Sequence, residues 1–411
     1  MVGSLKLLVY EHIAGGGYAN APISSSVLCE GYGMLRTFIS DLKAAGHQVI
    51  TFLDSRLARF NPPIQSDETI CISVPEQVEE TLPVFSGTVD AVHLTAPESD
   101  GILARLVRVV ERSGALSLNC SSGAIAAASD KTKIYTTLSR SGLAVPQYVT
   151  IDSSWSKQKI HDALAQVGLP AIFKPVDGVG CAGLSFVKSR AEALLAVERA
   201  KINEHDSSLI VQKFVRGTAA SVTLISTGEL ALPVTLNRQL LRLAPPEFES
   251  SYLGGIVPLH HQMEHEAFLI AKTAVESIEG LRGIVGVDMV LSAHGPVIIE
   301  VNPRLTTSYV GIRSVLNLNL AQAVLEAVVE HRLPHRLRTS GYAIFSKVAV
   351  PAFPNENLRR TYGMHEVIYP PFPTDGGTVY TLISVKSATP ARARRKLSRA
   401  RRHFQTILEG G

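Results

Sequence analysis

The chain has 411 residues, too many for one small domain and enough for two or three packed modules. Its 45% hydrophobic content excludes a mainly disordered protein, and 40 Lys and Arg against 36 Asp and Glu leave a net charge of +4, too slight to imply a polyanionic partner. No uninterrupted apolar run is long enough for a membrane helix, and Met1–Tyr10 is too short for a secretory leader. Four scattered cysteines (29, 71, 120 and 181) form no CxxC pair, so reduced thiols and a cytoplasmic location are expected.

Residues 1–125 read as alternating strands and helices. Leu5–Tyr10, Val49–Leu53 and Val89–Leu94 are apolar runs of strand length. Helical spacing of apolar residues marks Ser26–Ala45 and Gly101–Ser113. The alternation argues for a doubly wound parallel sheet. Gly15–Gly16–Gly17 follows the first strand and is either a ligand-approaching loop or a flexible turn, since its spacing is not GxGxxG.

Residues 126–335 change in texture. A helix is expected over Asp130–Ser141 and another at His161–Val167. Short β-rich runs follow at Ala171–Pro175, Leu184–Val187, Leu209–Val215, Ser221–Ile225 and Leu230–Leu236, the pattern of antiparallel hairpins. A long helix over Glu264–Glu279 precedes strands Ile284–Leu291 and Val297–Val301, and helix Leu318–His331 closes the region. Residues 336–411 read as a separate small α+β unit, with strands Ala343–Val350 and Thr378–Lys386 around a Pro-rich loop. The helix Pro390–Leu408 carries Arg392, Arg394, Arg395, Lys396, Arg399, Arg401 and Arg402. Such a helix could touch nucleic acid or an acidic membrane. A solvated outer face over an inner Leu397, Phe404 and Ile407 is the preferred reading.

The strongest chemical signal is VIIEVNPRLTTS at 297–308. Period-two alternation puts Glu300 and Asn302 on one strand face, with Arg304 close behind. Asp288, inside the apolar strand GIVGVDMVL, can face Glu300 if the two strands form a hairpin. Two carboxylates and an amide oxygen suit a hard cation between phosphates, and an unpaired carboxylate inside an apolar strand is otherwise costly. Upstream, Lys174 ends AIFKP beside the glycine-rich stretch Asp177–Gly183. Backbone N–H groups of Gly178, Gly180 and Gly183 could approach phosphate oxygens, although the stretch is not a Walker A loop. Lys131 can supply a second cation. LIVQKFV at 209–215 is a strand whose backbone, Gln212 and Lys213 could meet a nucleobase edge.

The order Asp130–Lys131, Lys174–Pro175, glycine loop, Gln212–Lys213–Phe214–Val215, Asp288, then Glu300–Val301–Asn302–Pro303–Arg304 resembles the ATP-grasp superfamily over about residues 120 to 330. The resemblance implies a Rossmann-like domain (1–125) and a two-subdomain ATP-grasp fold (126–335) that sandwiches ATP, followed here by a C-terminal α+β extension (336–411). It further implies that Lys131 and Lys174 bind the ATP phosphates, that Gly178, Gly180 and Gly183 form a mobile lid, and that Gln212, Lys213 and Val215 lie at the adenine hinge. Asp288, Glu300 and Asn302 resemble magnesium (or manganese) ligands, and Arg304 and Arg238 would steady the transferred phosphate and the acyl phosphate. Two departures bear on the ribose and adenine contacts. Gly217 is followed by Thr218, Ala219 and Ala220 where many members place Glu, and Gln212 stands where Glu is common.

A narrower resemblance rests on VYEHIAGGG, CEGYGML, VITFLDSRL, GTAASV and NRQLL. It points to a branch of carboxylate–amine ligases in methanofuran biosynthesis that joins the γ-carboxylate of L-glutamate to tyramine, releasing ADP. The expected partners are small-molecule acid and amine substrates, without membrane or nucleic acid, and a homo-oligomer is left open. Glu11 or Glu30 could orient the amine as a cation; an exposed or capping carboxylate is preferred for each. The rival readings are a ligase or carboxylase with other substrates, and a non-catalytic ATP-binding sensor. No biotin-carrier segment is evident, and a pure binder need not keep Asp288, Glu300, Asn302 and Arg304.

Overall fold

The computed structural model describes residues 3–58, 64–152, 156–176, 180–203, 208–350, 355–372 and 378–410. Strands β1 (Lys6–Glu11), β2 (Gln48–Asp54), β3 (Glu68–Ile72), β4 (Ala91–Thr95) and β5 (Leu116–Ser117) form a parallel sheet in the order β3-β2-β1-β4-β5. The central strands β1 and β4 are buried almost throughout, as a sheet covered on both faces requires. Sequence reading passed over β3, because an edge strand that exposes Glu68, Thr69 and Cys71 carries no apolar run. The three glycines after β1 form a packed turn. A Cβ at Gly15, Gly16 or Gly17 would collide with Tyr10, Ile72 or His12 respectively.

A four-stranded antiparallel sheet follows, β6 (Tyr148–Ile151), β7 (Ala171–Pro175), β8 (Ser185–Val187) and β9 (Leu209–Lys213), in the order β6-β9-β7-β8. It is backed by helices Lys157–Val167 and Arg190–Asn203. The second helix has no leucine periodicity to betray it. Its buried stripe is Ala193, Ala196, Val197 and Ala200, while Leu195 faces solvent. This unit has its own apolar core, built around Phe173, Val187, Leu209 and Val211.

The largest sheet has eight strands: β10 (Gly217–Thr227), β11 (Ala231–Arg242), β12 (Ser251–Val257), β13 (Arg282–Ser292), β14 (Gly295–Asn302), β15 (Tyr342–Val350), β16 (Val367–Tyr369) and β17 (Val379–Ser387). Their order is β14-β13-β10-β11-β12-β15-β17-β16. Residues 336–411 are therefore not a separate unit, because β12 pairs antiparallel with β15 and the sheet runs on unbroken. Helix Pro390–Leu408 lies on its far end through Ala393, Leu397, Ala400, Phe404 and Leu408, which leaves most of its arginines in solvent.

The seam between β12 and β15 depends on Gly254, which has φ of +123° and no room for a side chain. A Cβ there would lie 2.1 Å from the Phe345 carbonyl oxygen across the ladder. Gly254→Ala is expected to cost about 2–4 kcal/mol, through both backbone strain and steric overlap, and to lower the thermal unfolding midpoint measured by circular dichroism.

The N-terminal sheet shares its core with the large one. Leu7, Val9 and Phe38 pack in the same apolar cluster as Tyr309, Val324 and Phe345. A polar bolt reinforces this junction. Asp41, on helix Ser25–Ala44, accepts from the Tyr309 hydroxyl at 2.5 Å and from Arg313 Nε at 2.9 Å. The segment that follows β14 is thereby fixed against the N-terminal domain.

Candidate active site

One cleft of about 390 Å³ lies between the four-stranded and eight-stranded sheets. Its inner wall is set by strand register. Glu300 on β14 is the cross-strand partner of Asp288 on β13, Asp288 pairs with Ser221 on β10, and Ser221 pairs with Asn237 on β11. Directly paired residues of an antiparallel sheet share a face, so one polar row crosses four strands. The expected hairpin therefore forms and does bring Asp288 opposite Glu300. Asn302, two residues on from Glu300, also lines the cleft.

The charges in this row are not balanced. Burial pushes the Asp288 carboxyl up to about 7, helped by the like charge of Glu300, although side-chain hydrogen bonds from Gln239 and Asn302 and the charge of Arg304 oppose the rise. Burial also acts on Glu300, but Lys131, Lys174 and Arg304 outweigh it and hold that carboxyl below its usual range. Lys131 Nζ lies 3.1 Å from Glu300 Oε1. Lys174 is buried deeply enough that desolvation brings its ammonium group down to about 8, against the pull of Glu300 and Asp288. Two carboxylates crowded together beside an amide oxygen fit a hard divalent cation, which would relieve their repulsion. Among the described residues no group of three or more His, Cys, Asp or Glu is placed to hold an ion, so the donor set stays at two carboxylates plus Asn302.

Tyr135 organises the lysine side of the cleft, and sequence reading missed it. Lys174 Nζ donates to its hydroxyl oxygen at 2.9 Å. That hydroxyl in turn lies 2.9 Å from Gln212 Oε1 and 2.7 Å from the Ile299 carbonyl. The Ile299 carbonyl is available because β14 bulges there, with Asp288 opposite Glu300 but Met289 opposite Ile298. A signal existed in the sequence. Tyr135 stands four residues after Lys131 on helix Lys131–Arg140, so the two share a face. Tyr135→Phe removes an acceptor from a buried ammonium and a donor from Gln212. Affinity for the ATP that the sequence resemblance implies, measured by calorimetry, is expected to fall about tenfold, or about 1.4 kcal/mol.

The lining divides by chemistry. Ile172, Phe214, Val215, Met289 and Ile299 are apolar, the lysines and carboxylates are charged, and Thr306, Thr307 and Ser308 add hydroxyls beside Arg304 and Glu30. Arg304 is clamped by Glu98, whose Oε1 lies 2.8 Å from its Nε. Glu98 comes from the N-terminal domain, 206 positions away in the chain, and no local pattern announces it.

Several expected positions fall elsewhere. Arg238 is exposed and does not line the cleft; register places Asn237 on the face of Asp288, so alternation brings Gln239 inward and Arg238 to the opposite face. Lys213 is likewise exposed at the end of β9, while Gln212 and Val215 line the wall. Gly180 borders the cleft, and Gly183 packs against Pro175 instead. Gly178 lies outside the described residues. Glu11 does not line the cleft and caps the glycine turn, accepting from the Ala14 amide at 2.7 Å; burial raises its carboxyl to about 7, against backbone hydrogen bonds and the charge of Arg304.

Family models match two stretches: an ATP-grasp domain over residues 128–308 and a pre ATP-grasp 3 domain over 47–125. A tyramine–L-glutamate ligase from Methanocaldococcus jannaschii is 26% identical over 82% of this chain and 94% of its own. The ligase of the same name from Methanocaldococcus fervens is 29% identical over 62% and 72%. The crystal structure of N5-carboxyaminoimidazole synthase from Aspergillus clavatus, solved with ADP, superposes with a TM-score of 0.70 at 16% identity and covers 100% of both chains.

Proposed function

Because the chain belongs to the ATP-grasp superfamily of ligases, we propose that it uses ATP to activate a carboxylate and passes the acyl group to an amine, with L-glutamate and tyramine as the substrates. The observation that carries this reading is the cleft in which Lys131, Lys174 and Arg304 accompany the Asp288–Glu300 pair, with apolar and hydroxyl-bearing residues in the same lining. Residue by residue, the base of ATP fits the slot formed by Ile172, Val215, Met289 and Ile299. Gln212 spends its amide oxygen on Tyr135 and so offers its NH2 to the ring. The triphosphate then lies over Lys131 and Lys174. A polyanion there restores the charge balance that burial denies Lys174. Gly180, Cys181 and Ala182 border the cleft beside it.

Asp288, Glu300 and Asn302 would hold magnesium or manganese, which supplies charge neutralisation at the transferring phosphoryl group. A carboxylate is a poor acyl donor because oxide cannot leave. Its oxygen attacks the γ-phosphorus, and the bond to ADP breaks with its electron pair going to ADP. The neutral amine nitrogen then attacks the acyl carbon, and phosphate departs with the former carboxylate oxygen and the bonding electron pair while taking up the proton that the nitrogen gives up. Arg304, held by Glu98, faces the place where both charges develop. The acyl phosphate has to be kept from water until the amine arrives.

ADP release from magnesium–ATP with L-glutamate, with and without tyramine, tests the reading alongside mass spectrometry of the products. ADP and a γ-glutamyltyramine mass should appear only with both substrates. ADP formed with a different acid–amine pair would keep the ligase and replace the substrates. Tight ATP binding without turnover on any pair would overturn the reading.

A further inference from the structure

The hydroxyl-bearing part of the cleft lining carries a feature that the ATP reading does not use. Glu30, on helix Ser25–Ala44, is held through both carboxylate oxygens. Lys347 Nζ lies 2.5 Å from Oε1, and the Thr307 hydroxyl donates to Oε2 at 2.8 Å. Lys347 also donates to Ser26 Oγ at 2.8 Å. Three distant parts of the chain therefore converge on one carboxylate: the N-terminal helix, the segment after the Glu300 motif, and β15.

The pair is asymmetric toward the cleft. The Glu30 side chain keeps 23% of its surface exposed and lines the cavity, whereas Lys347 keeps 5% and does not. Its negative end thus faces the cleft and its positive end is hidden behind. An ionised carboxylate offers about four acceptor positions, and these two bonds occupy two. Packing alone does not call for such a pair, since a buried ion pair stabilises little against apolar residues of the same shape. Glu30 also acts on the charge of Arg304, which places it within electrostatic reach of the phosphate end.

We propose that Glu30, oriented by Lys347 and Thr307, receives the primary ammonium group of a substrate. This rests on the ligase reading for what the substrate is used for, not for the binding itself. The β15 lysine is a positioning residue: it fixes the carboxylate without touching the ligand. Primary ammonium groups occur on both expected substrates, on tyramine as the nucleophile and on L-glutamate at its α-carbon.

The test is calorimetric titration of the full chain carrying a non-hydrolysable ATP analogue. Two matched pairs serve as probes: tyramine against its hydroxyl analogue tyrosol, and L-glutamate against glutarate. The wild type should bind one ammonium-bearing member at least tenfold more tightly than its partner, and the pair that shows this identifies the source. Glu30→Gln should abolish the preference while leaving analogue affinity unchanged, which certifies the fold. Lys347→Met should weaken the preference, and Lys347→Arg should restore part of it. A preference retained in Glu30→Gln, or none in the wild type, would overturn the inference. Preference with no ADP release on any acid–amine pair would remove the ligase reading and leave the subsite standing.

Discussion

Glu300→Gln is expected to lower ATP-dependent turnover roughly a thousandfold while leaving the fold intact. Glutamine keeps the shape and an oxygen for Lys131, which lies 3.1 Å from the present carboxylate, so packing changes little. What disappears is the negative charge shared by Lys131, Lys174 and Arg304, and with it one of two carboxylates able to hold a cation. Nucleotide binding should fall less than tenfold, because the apolar slot and both lysines remain. Steady-state kinetics, calorimetry with ADP and a thermal melt together check this. Near-normal turnover would remove Glu300 from the cation-holding set.

Arg304→Met should act differently. In the proposed mechanism the guanidinium meets charge that develops only during transfer, so kcat should fall about 10²- to 10³-fold with little change in KM for ATP. Stability should fall as well. Glu98 is buried, its Oε2 has no hydrogen-bond partner among the described residues, and loss of Arg304 would strand its charge. Breaking a buried pair in this way costs about 3–5 kcal/mol. Glu98→Gln separates the two effects, since it keeps the guanidinium and loosens its aim. A roughly tenfold loss of kcat is expected there, read by kinetics beside urea denaturation. Equal losses in the two variants would mean that Glu98 does more than position Arg304.

The legible parts of this protein were those written locally. Glu300 and Asn302 could be placed on one face because a strand has a two-residue period, and Asp288 stood out as a charge inside an apolar run. The helix Pro390–Leu408 was readable to the residue, because Leu397, Phe404 and the arginines alternate at helical spacing. Arg238 was misplaced by a single position. Its strand was visible, but the parity of a strand is set by its neighbours, and only the pairing of Ser221 with Asn237 and Asp288 turns Gln239 inward. Glu98 and Lys347 were out of reach for a different reason. Each meets its partner across hundreds of residues, and although Lys347 is a charge inside an apolar strand, nothing local names Glu30 as its partner. The same holds for the C-terminal strands, whose membership of the large sheet depends on a glycine seam that sequence cannot pair.

The central claim is that an acid oxygen becomes part of the phosphate released. L-Glutamate, or whichever acid supports ADP release, should be labelled with oxygen-18 in its carboxylates and incubated with magnesium–ATP and the amine. Passage through an acyl phosphate predicts inorganic phosphate carrying one labelled oxygen per product formed. Product accompanied by unlabelled phosphate would contradict the account.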